Sequence, residues 1–493
     1  MKNYLSAAAG ALLALALCLP ASAQQGGGRG ERRGGPRGEK GPPKQAAVFR
    51  TEVPEHRGSV VAGRPTAGSV TLSLVLSSDT EALLVWGPDP GKLPATGKKV
   101  SLKAGVPVQA VIPGLAPDKE YYYALLDAYT KARLLPEGSP GSFHTARAPG
   151  GAFTFTVQAD PHLDGAVSPE LYRSVLLSAL AEKPDFHIDL GDTFMTEKHA
   201  ARASAAAQYA AQHYYFGLIG GSAPVFLVLG NHDGEAQGRR EEEGVDSLRL
   251  WSHKMRTKYF ANPVPDGFYS GNGSPYPGAG LLQNYYAWTW GDALFVVLDP
   301  YWTSAKTRGG SEPWNMTLGK AQYDWLAKTL KTSKSKFKFV FIHQLTGGLG
   351  SGGRGGLEAV PLYEWGGHEP DGSYTFDENR PGWGKPIHKI LVESGVNIVF
   401  HGHDHFFARQ ELDGVVYQLV PQPAERNPRG DHAEEYGYEK GVFLSNSGHL
   451  RVRVSTTEVV VDYIRAAGQN IDGKEILNGQ SAYSYNIHKV AKE

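Results

Sequence analysis

Residues 225–233 read VFLVLGNHD, an apolar run that ends in glycine and then in amide, imidazole and carboxylate side chains. A short apolar run bounded by glycine is typical of a buried β-strand. In an open α/β sheet the carboxyl ends of the strands converge on one edge, so polar residues that follow different strands meet in space. The stretch therefore predicts a strand that delivers Asn231 and His232 to such an edge.

Four further apolar runs end in side chains suited to metal binding. They deliver Asp160 and His162 after residues 153–159, Asp192 after 186–190, His343 after 337–342, and His403 and His405 after 397–400. Glycine precedes Asp192, Asn231 and His403, where it lets the backbone turn sharply without steric cost. Each motif alone is common by chance, but all five in this order indicate one shared site.

The rest of the chain suggests two folded parts. Residues 47–148 are predicted to form a small all-β sandwich domain, because strand-like runs such as 69–76 and 81–86 are separated by turn residues. From residue 150 to residue 493, strands alternate with helical segments, which is the pattern of layered α/β architecture. One of these helices is predicted to begin at Pro169 behind the N-cap Ser168.

The first 46 residues are predicted to lie outside the fold. Residues 1–23 combine Lys2, a short apolar stretch and a small-residue site ending at Ala23, as in a secretory signal peptide cleaved after Ala23. Residues 24–46 are rich in Gly, Pro and Arg and carry a local charge of +4, which predicts a disordered linker. The linker is either a solvated spacer or a tether to an anionic surface. The expected localisation is secreted or periplasmic.

Composition restricts the chemistry and the partners. Apolar residues make up 41% and charged residues 20% of the chain, as in an ordinary globular protein, and the net charge is zero. Nothing global therefore indicates a nucleic-acid or anionic-membrane partner, and no transmembrane segment is predicted. The only cysteine, Cys18, lies in the predicted signal peptide, so any metal must be held by oxygen and imidazole. Such ligands favour Fe, Mn, Zn or Co over Mg or Ca.

The ordered set D-x-H, G-D, G-N-H, H and G-H-x-H resembles the calcineurin-like metallophosphoesterases over roughly residues 150–466. The resemblance implies an α/β fold, a four-layer αββα sandwich with two metal ions at the strand ends. It implies seven metal ligands in two sets joined by a bridge: Asp160, His162 and His405 in one set, Asn231, His343 and His403 in the other, and Asp192 between them.

Two adjacent cations polarise phosphoryl oxygens and lower the pKa of a bridging water. We therefore predict an enzyme that hydrolyses phosphomonoesters or phosphodiesters by attack of a metal-bridging hydroxide, without a phosphoenzyme. His232 is the predicted general acid, which protonates the leaving alkoxide. The expected partner is a small-molecule phosphoester, and the oligomeric state stays open.

Two other functions are less consistent with the sequence. A noncatalytic extracellular binding protein on the same scaffold would be favoured by degenerate ligands, and none is degenerate here. A nuclease would be expected to show a basic groove, yet acidic residues outnumber basic ones beyond residue 46.

A β-sandwich ahead of such a domain also resembles the purple acid phosphatases, with two departures. Those enzymes carry G-D-x-x-Tyr, whose tyrosine ligates ferric iron and gives the colour, whereas this chain has Met195 at that position. It also has His162 where they have a residue that does not bind metal. We therefore expect a colourless enzyme.

A Gly- and aromatic-rich insertion, about residues 345–386, follows His343. We interpret it as a lid that shapes the substrate site, with a structural flap as the alternative. Arg354 and Arg380 within it suit phosphate pairing or a salt bridge, so neither is assigned to the site.

Overall fold

The computed structural model describes residues 47–236, 246–305, 313–350, 352–425, 432–466, 470–471, 474–475 and 479–488. The predicted signal peptide (1–23) and the predicted linker (24–46) lie outside the described residues. No helix in the described part of the chain is long and apolar enough to span a lipid bilayer.

Two small antiparallel sheets form the predicted all-β part. Their strands are β1 (Gly58–Gly63), β2 (Val70–Leu76), β3 (Thr80–Gly87), β4 (Lys98–Leu102), β5 (Val108–Ile112), β6 (Glu120–Asp127), β7 (Arg133–Leu135) and β8 (Gly141–His144). One sheet has the order β1-β2-β5 and the other β4-β3-β6-β7, with β8 paired to β6. Alternate side chains of both sheets, such as Leu72 and Leu84, share one core. The Ala116 N–H donates to the Tyr121 hydroxyl (3.0 Å), as in a tyrosine corner.

Two larger mixed sheets carry the rest of the chain. Their strands are β9 (Phe153–Gln158), β10 (Phe186–Asp189), β11 (Val225–Leu227), β12 (Ser270–Gly271), β13 (Tyr286–Trp290), β14 (Ala293–Val297), β15 (Phe337–Phe341), β16 (Ile398–His401), β17 (Phe407–Leu412), β18 (Val415–Leu419), β19 (Val442–Leu444), β20 (Gly448–Val454), β21 (Glu458–Arg465) and β24 (Ser481–His488), with the separate pair β22 (Asn470–Ile471) and β23 (Lys474–Glu475). The six-stranded sheet has the order β11-β10-β9-β20-β21-β24, and the eight-stranded sheet has the order β12-β13-β14-β15-β16-β18-β17-β19.

Helices cover the outer faces of both large sheets. They are α1 (Pro169–Ala181), α2 (Arg202–Gly220), α3 (Leu248–Tyr259), α4 (Lys320–Thr332), α5 (Tyr363–Gly366), α6 (Phe376–Asn379) and α7 (Ile387–Glu393), with 3₁₀ turns at Thr196–Lys198, Pro313–Asn315 and Leu357–Ala359. Side chains of α1 and α2 pack on β11 of the six-stranded sheet, and side chains of α4 and α7 pack on β14, β15 and β16 of the eight-stranded sheet. The fold is therefore the expected four-layer αββα sandwich, preceded by a β-sandwich.

Burial on both faces explains why the central strands are continuous apolar runs. In β14, Phe295 faces the core between the two sheets, whereas its neighbours Leu294 and Val296 face α4. Aromatic rings fill the space between the sheets, where Phe155 of β9 meets Phe295 edge to face at 5.2 Å between centroids. β9, β10 and β11 run parallel, and so do β14, β15 and β16, so their carboxyl ends lie at one edge of each sheet.

The described residues form one compact unit, which includes the β-sandwich. The sandwich packs on α2, where His213 is buried between two serine hydroxyls, Ser59 Oγ (2.6 Å) and Ser73 Oγ (3.1 Å). The Tyr123 hydroxyl donates to the Gly221 carbonyl just beyond the end of the same helix (2.8 Å). These buried hydrogen bonds fix the sandwich on the outer surface of the helical layer.

Candidate metal centre

The structure brings all seven predicted metal ligands to the carboxyl edge of the two sheets, from the loops that follow β9, β10, β11, β15 and β16. Two groups have ligand atoms within 4.8 Å of one another: Asp160, His162 and His405 in one, and Asp192, His343 and His403 in the other. Asn231 joins the second group, because its Oδ1 lies 3.1 Å from His343 Nε2. The resemblance implied the same two sets, with Asp192 as a bridge between them and not as a member of the second.

Asp192 lies between the two groups. Its Oδ2 is 3.8 Å from His162 Nε2 in the first group and 3.4 Å from His343 Nε2 in the second. A carboxylate in that position offers oxygens to two neighbouring cations. Within its own group, Asp160 Oδ1 lies 3.6 Å from His162 Nε2 and 3.5 Å from His405 Nε2.

Two buried polar atoms of the first group show that the residues fit a cation. Asp160 Oδ1 and His162 Nε2 are buried, and neither has a hydrogen-bond partner among the described residues. A buried polar atom without a partner is costly, and native structures rarely keep one without an ion, a water or a function. A divalent cation among Asp160, His162 and His405 would satisfy both atoms with the oxygen and imidazole ligands that Mn, Fe, Zn and Co accept.

The backbone at the ligands is strained. Five of the seven predicted ligands have positive φ: Asp160 (57°), His162 (38°), Asp192 (54°), His403 (78°) and His405 (71°). Residues other than glycine rarely adopt this conformation, and such outliers cluster at functional sites because tertiary structure must hold them.

Glycine is required next to these ligands for two different physical reasons. Gly191 has φ 100°, so its turn needs glycine as the sequence predicted. Gly402 has no positive φ; a Cβ there would lie 2.8 Å from Asp160 Oδ2 and 2.9 Å from the Ala159 Cβ. Glycine at Gly402 is therefore required by the close approach of two ligand loops and not by a positive φ.

Polar contacts orient three of the imidazoles. His343 Nδ1 bonds to the Leu190 carbonyl (2.8 Å), which directs Nε2 to the site. His403 Nε2 bonds to the Gly352 carbonyl (3.0 Å), which leaves Nδ1 for a metal. His162 Nδ1 lies 3.3 Å from Asp164 Oδ2. Such partners of metal-binding histidines fix the tautomer and the ring orientation.

Charges within the site shift several pKa values. Burial alone would raise the pKa of Asp160, but the His343 and His405 imidazoles lower it well below its usual range. The pKa of Asp192 is also well below its usual range, since His343 and His232 outweigh its burial. Burial would lower the pKa of His343, but Asp192 and Asp160 raise it to about 9. Cations would replace the protons that these carboxylates attract.

Asp233 supports the site, a role that the sequence motifs did not identify. Its carboxylate accepts four backbone N–H groups, from Asp192 (3.1 Å), Thr193 (2.8 Å), Phe194 (2.8 Å) and Gly230 (2.7 Å). It therefore holds the loops after β10 and β11 together. Burial and the neighbouring Asp192 raise the pKa of Asp233 to about 7. Its place directly after the G-N-H motif was the available signal.

His232 lies at the rim of the site and is oriented by two acidic residues. Its backbone N–H donates to Asp192 Oδ1 (2.7 Å). Its Nδ1 lies 2.6 Å from Glu197 Oε1, and its Nε2 lies 4.0 Å from Asp192 Oδ2. With Nδ1 donating to Glu197, Nε2 is the ring nitrogen that faces the site. Glu197, in the 3₁₀ turn after β10, had no recognisable signal in the sequence.

A family model described as calcineurin-like phosphoesterase matches residues 153–407. The chain belongs to the calcineurin-like phosphoesterase family. It is accordingly a metallophosphoesterase, a hydrolase of phosphoric esters, and its Asp and His groups fit the divalent metal ions that this activity requires.

Solved structures resemble this phosphoesterase in fold. A structure of PhoD has a TM-score of 0.59 and 15% identity, and the match covers 89% of this chain and 92% of that chain. The purple acid phosphatase PPD1 from yellow lupin (Lupinus luteus) seeds has a TM-score of 0.56 and 14% identity, with 88% and 74% covered. A search of curated proteins finds no match.

The insertion after β15 meets the metal edge of this phosphoesterase through Arg354. The guanidinium donates to the His403 carbonyl (2.8 Å) and to Asp404 Oδ1 (2.9 Å). Asp404 also accepts the Tyr438 hydroxyl (2.7 Å). These contacts fix the turn between the last two predicted ligands.

Arg380 has a different environment. It donates to the buried Glu364 (2.6 Å), and its guanidinium lies 5.2 Å from the ring centroids of both Trp314 and Trp383. Of the two roles left open for Arg380, phosphate pairing or a salt bridge, the structure shows the salt bridge.

A cavity of about 310 Å³ opens beside His162 and His405, and Asp164, Glu425 and Tyr436 also line it.

Proposed function

We propose that this phosphoesterase hydrolyses small-molecule phosphomonoesters or phosphodiesters outside the cytoplasm, at a centre of two metal ions. The observation that carries the proposal is the position of Asp192, whose Oδ2 lies 3.8 Å and 3.4 Å from one imidazole of each ligand group. Asp160, His162 and His405 would hold one cation, and Asn231, His343 and His403 the other, with Asp192 shared. Two such cations activate water and neutralise phosphoryl charge.

His232 is the proposed general acid. Hydrolysis adds water oxygen to phosphorus and breaks the bond to the leaving alcohol, whose oxygen then needs a proton. The His232 Nε2–H can supply it from the rim, since the opposite nitrogen is bonded to Glu197. The Glu197 carboxylate stabilises the charged imidazole before the transfer and keeps the ring in one orientation.

The sequence supports export of the protein and the proposed domain boundaries. Residues 1–23 have the pattern of a signal peptide cleaved after Ala23, and residues 24–46 that of a disordered linker. We propose that residues 47–148 are a fibronectin type III-like support and that the 345–386 insertion shapes the substrate cavity, for which the Arg354 contacts give partial support. Met195 in place of tyrosine supports a colourless enzyme.

Metal analysis combined with a substrate panel tests the proposal. Purified full-length protein is expected to bind two equivalents of Mn or Zn and to hydrolyse some members of a panel of monoesters, diesters and nucleotides. Two bound metals with no turnover of any ester would instead support a binding protein. A visible charge-transfer band in the purified protein would contradict the expected lack of tyrosine ligation.

A further inference from the structure

The first described residues of the chain lie along the loop that carries the first ligand group. We call residues 48–51 the N-terminal strap and residues 160–165 the ligand loop. The Arg50 N–H donates to the Leu163 carbonyl (2.7 Å), and Phe49 forms an antiparallel bridge with Asp164. The strap thus adds a short piece of β-structure directly to the segment that presents His162.

The ligand loop needs such support because its backbone is strained. Asp160, His162 and Leu163 all have positive φ, at 57°, 38° and 52°. Each such residue costs about 1–3 kcal/mol and persists only when its surroundings hold it. On one side the loop is held by the chain after β10, since Asp160 N–H donates to the Gly191 carbonyl (3.0 Å) and His162 N–H to the Asp192 carbonyl (3.3 Å). The strap holds the other side.

The Phe49 side chain reaches His162 through two further residues. Its ring stacks on His199 with 3.7 Å between centroids and 17° between planes. His199 Nε2 lies 2.5 Å from Gln208 Oε1, and burial lowers the pKa of His199, so the neutral ring donates its single N–H there. The Gln208 amide then donates both of its hydrogens, one to the His162 carbonyl and one to the Thr193 carbonyl (3.2 Å).

Each N–H hydrogen along this path has its own acceptor, so the orientation of Gln208 depends on His199 and that of His199 on Phe49. Without the stacked ring, His199 can rotate away and Gln208 loses its fixed acceptor. The His162 carbonyl, in the strained loop, would then lose its donor. We propose that Phe49 is a positioning residue for His162, and that the strap thereby sets the affinity of the Asp160–His162–His405 group for its metal; the inference rests on the metal site proposed above.

The test is a Mn²⁺ titration of metal-free full-length protein, with stoichiometry from elemental analysis and affinities from calorimetry. Phe49→Ala is expected to weaken one of two binding events about tenfold and to leave the other unchanged, as for other groups that orient metal ligands. Phe49→Tyr, which keeps the stacked ring, should restore wild-type affinity. Val48→Ala is the matched control, because Val48 lies in the same strap and is 66% exposed.

A double-mutant cycle separates this role from general packing. If Phe49 acts through His199, the Phe49→Ala/His199→Ala protein should bind Mn²⁺ as weakly as the weaker single variant and no more weakly. Additive effects, or equal weakening of both sites, would overturn the inference. If Phe49→Ala does not fold, Phe49→Leu removes the stacked ring while keeping apolar volume, and the same readouts apply. Wild-type protein that binds no metal would instead contradict the proposed function.

Discussion

At the scale of single residues, Asp192 connects the metal site with the proposed proton donor. Its Oδ2 lies between the two ligand groups, while its Oδ1 accepts the backbone N–H of His232 (2.7 Å). The carboxylate that would bridge the cations therefore also fixes the distance of His232 from them. A change at His232 itself leaves that carboxylate in place, so proton transfer and metal binding are separable by mutation.

His232→Ala is expected to lower kcat by roughly 10²- to 10⁴-fold, the usual contribution of a general acid. The loss should be large for alkyl phosphates and small for nitrophenyl phosphate, because nitrophenolate leaves without a proton. Steady-state kinetics on both ester types, with metal content measured in the same samples, checks this. Glu197→Gln should give a smaller loss, and no additional loss in the His232→Ala background. Loss of both metals from His232→Ala would contradict the assignment.

His343 gives the metal site a defined pH dependence. Its pKa in the metal-free protein is about 9, above the ordinary value of 6.5. The protonated ring therefore stabilises the metal-free fold below about pH 6.5, and that contribution is lost as the pH rises through about 9. A metal must displace this proton, so apparent metal affinity should rise with pH up to about 9.

The corresponding measurement is proton release. Mn²⁺ added at pH 7.5 should release protons into weakly buffered solution, and the number should fall as the starting pH approaches 9. Calorimetry in buffers of different ionisation enthalpy gives the count. Release that does not change between pH 7 and pH 9 would argue against a protonated His343 in the metal-free site.

At the scale of elements, the turns after β10 and β16 bring the ligand loops into contact at distances that only glycine permits. A Cβ on Gly191 would overlap the backbone nitrogen of Gly230, and one on Gly402 would crowd Asp160 and Ala159. Gly191 has a positive φ and Gly402 does not, but a Cβ would be too close to a neighbouring loop at both positions. The ligand loops are thus in direct contact at these two glycines.

Gly191→Ala should therefore destabilise the protein by about 3 kcal/mol, from about 1 kcal/mol for a left-handed alanine and about 2 kcal/mol for overlap. Gly414→Ala is the matched control, since Gly414 has φ 79° in the β17–β18 turn and a Cβ there meets nothing within 4 Å. It should cost only about 1 kcal/mol. Urea unfolding of both variants measures the difference, and equal losses would show that backbone strain alone, without close packing, explains the glycine.

Strand ends and helix starts were predictable from the sequence because they depend on local patterns. Ser168 caps α1 by accepting the Leu171 N–H, with Pro169 at the first turn, as predicted. The helix α2 was missed although its alanine-rich run favours a helix, since no N-cap side chain marks its start. Glu197 and Phe49 were missed for another reason. Their roles depend on contacts with His232 and His199, which lie far away in sequence, and neither residue belongs to a recognisable motif.

At the scale of the whole molecule, buried neutral histidines lie in separate parts of the fold. His187 lies on β10, His449 on β20, and His213 at the interface between α2 and the β-sandwich, and burial lowers the pKa of each to about 3. Each ring stays neutral in the folded protein while the unfolded chain takes up a proton below about pH 6.5. Their contribution to stability is therefore present above pH 6.5 and is lost as the pH falls toward 3. The contact between the β-sandwich and α2 should thus become less stable as the pH falls below about 6.5.

His213 isolates this effect because it lies away from the metal centre, with both ring nitrogens bonded to serine hydroxyls. In metal-free protein, His213→Gln should reduce the pH slope of the free energy of unfolding by about 1.4 kcal/mol per pH unit between pH 4.5 and pH 6, one proton's worth. Urea titrations across that range measure the slope, and His488→Gln, at a side chain that is 68% exposed, controls for loss of an imidazole. An unchanged slope in His213→Gln would mean that the sandwich interface admits the charged ring, and that acid does not act on the molecule through this contact.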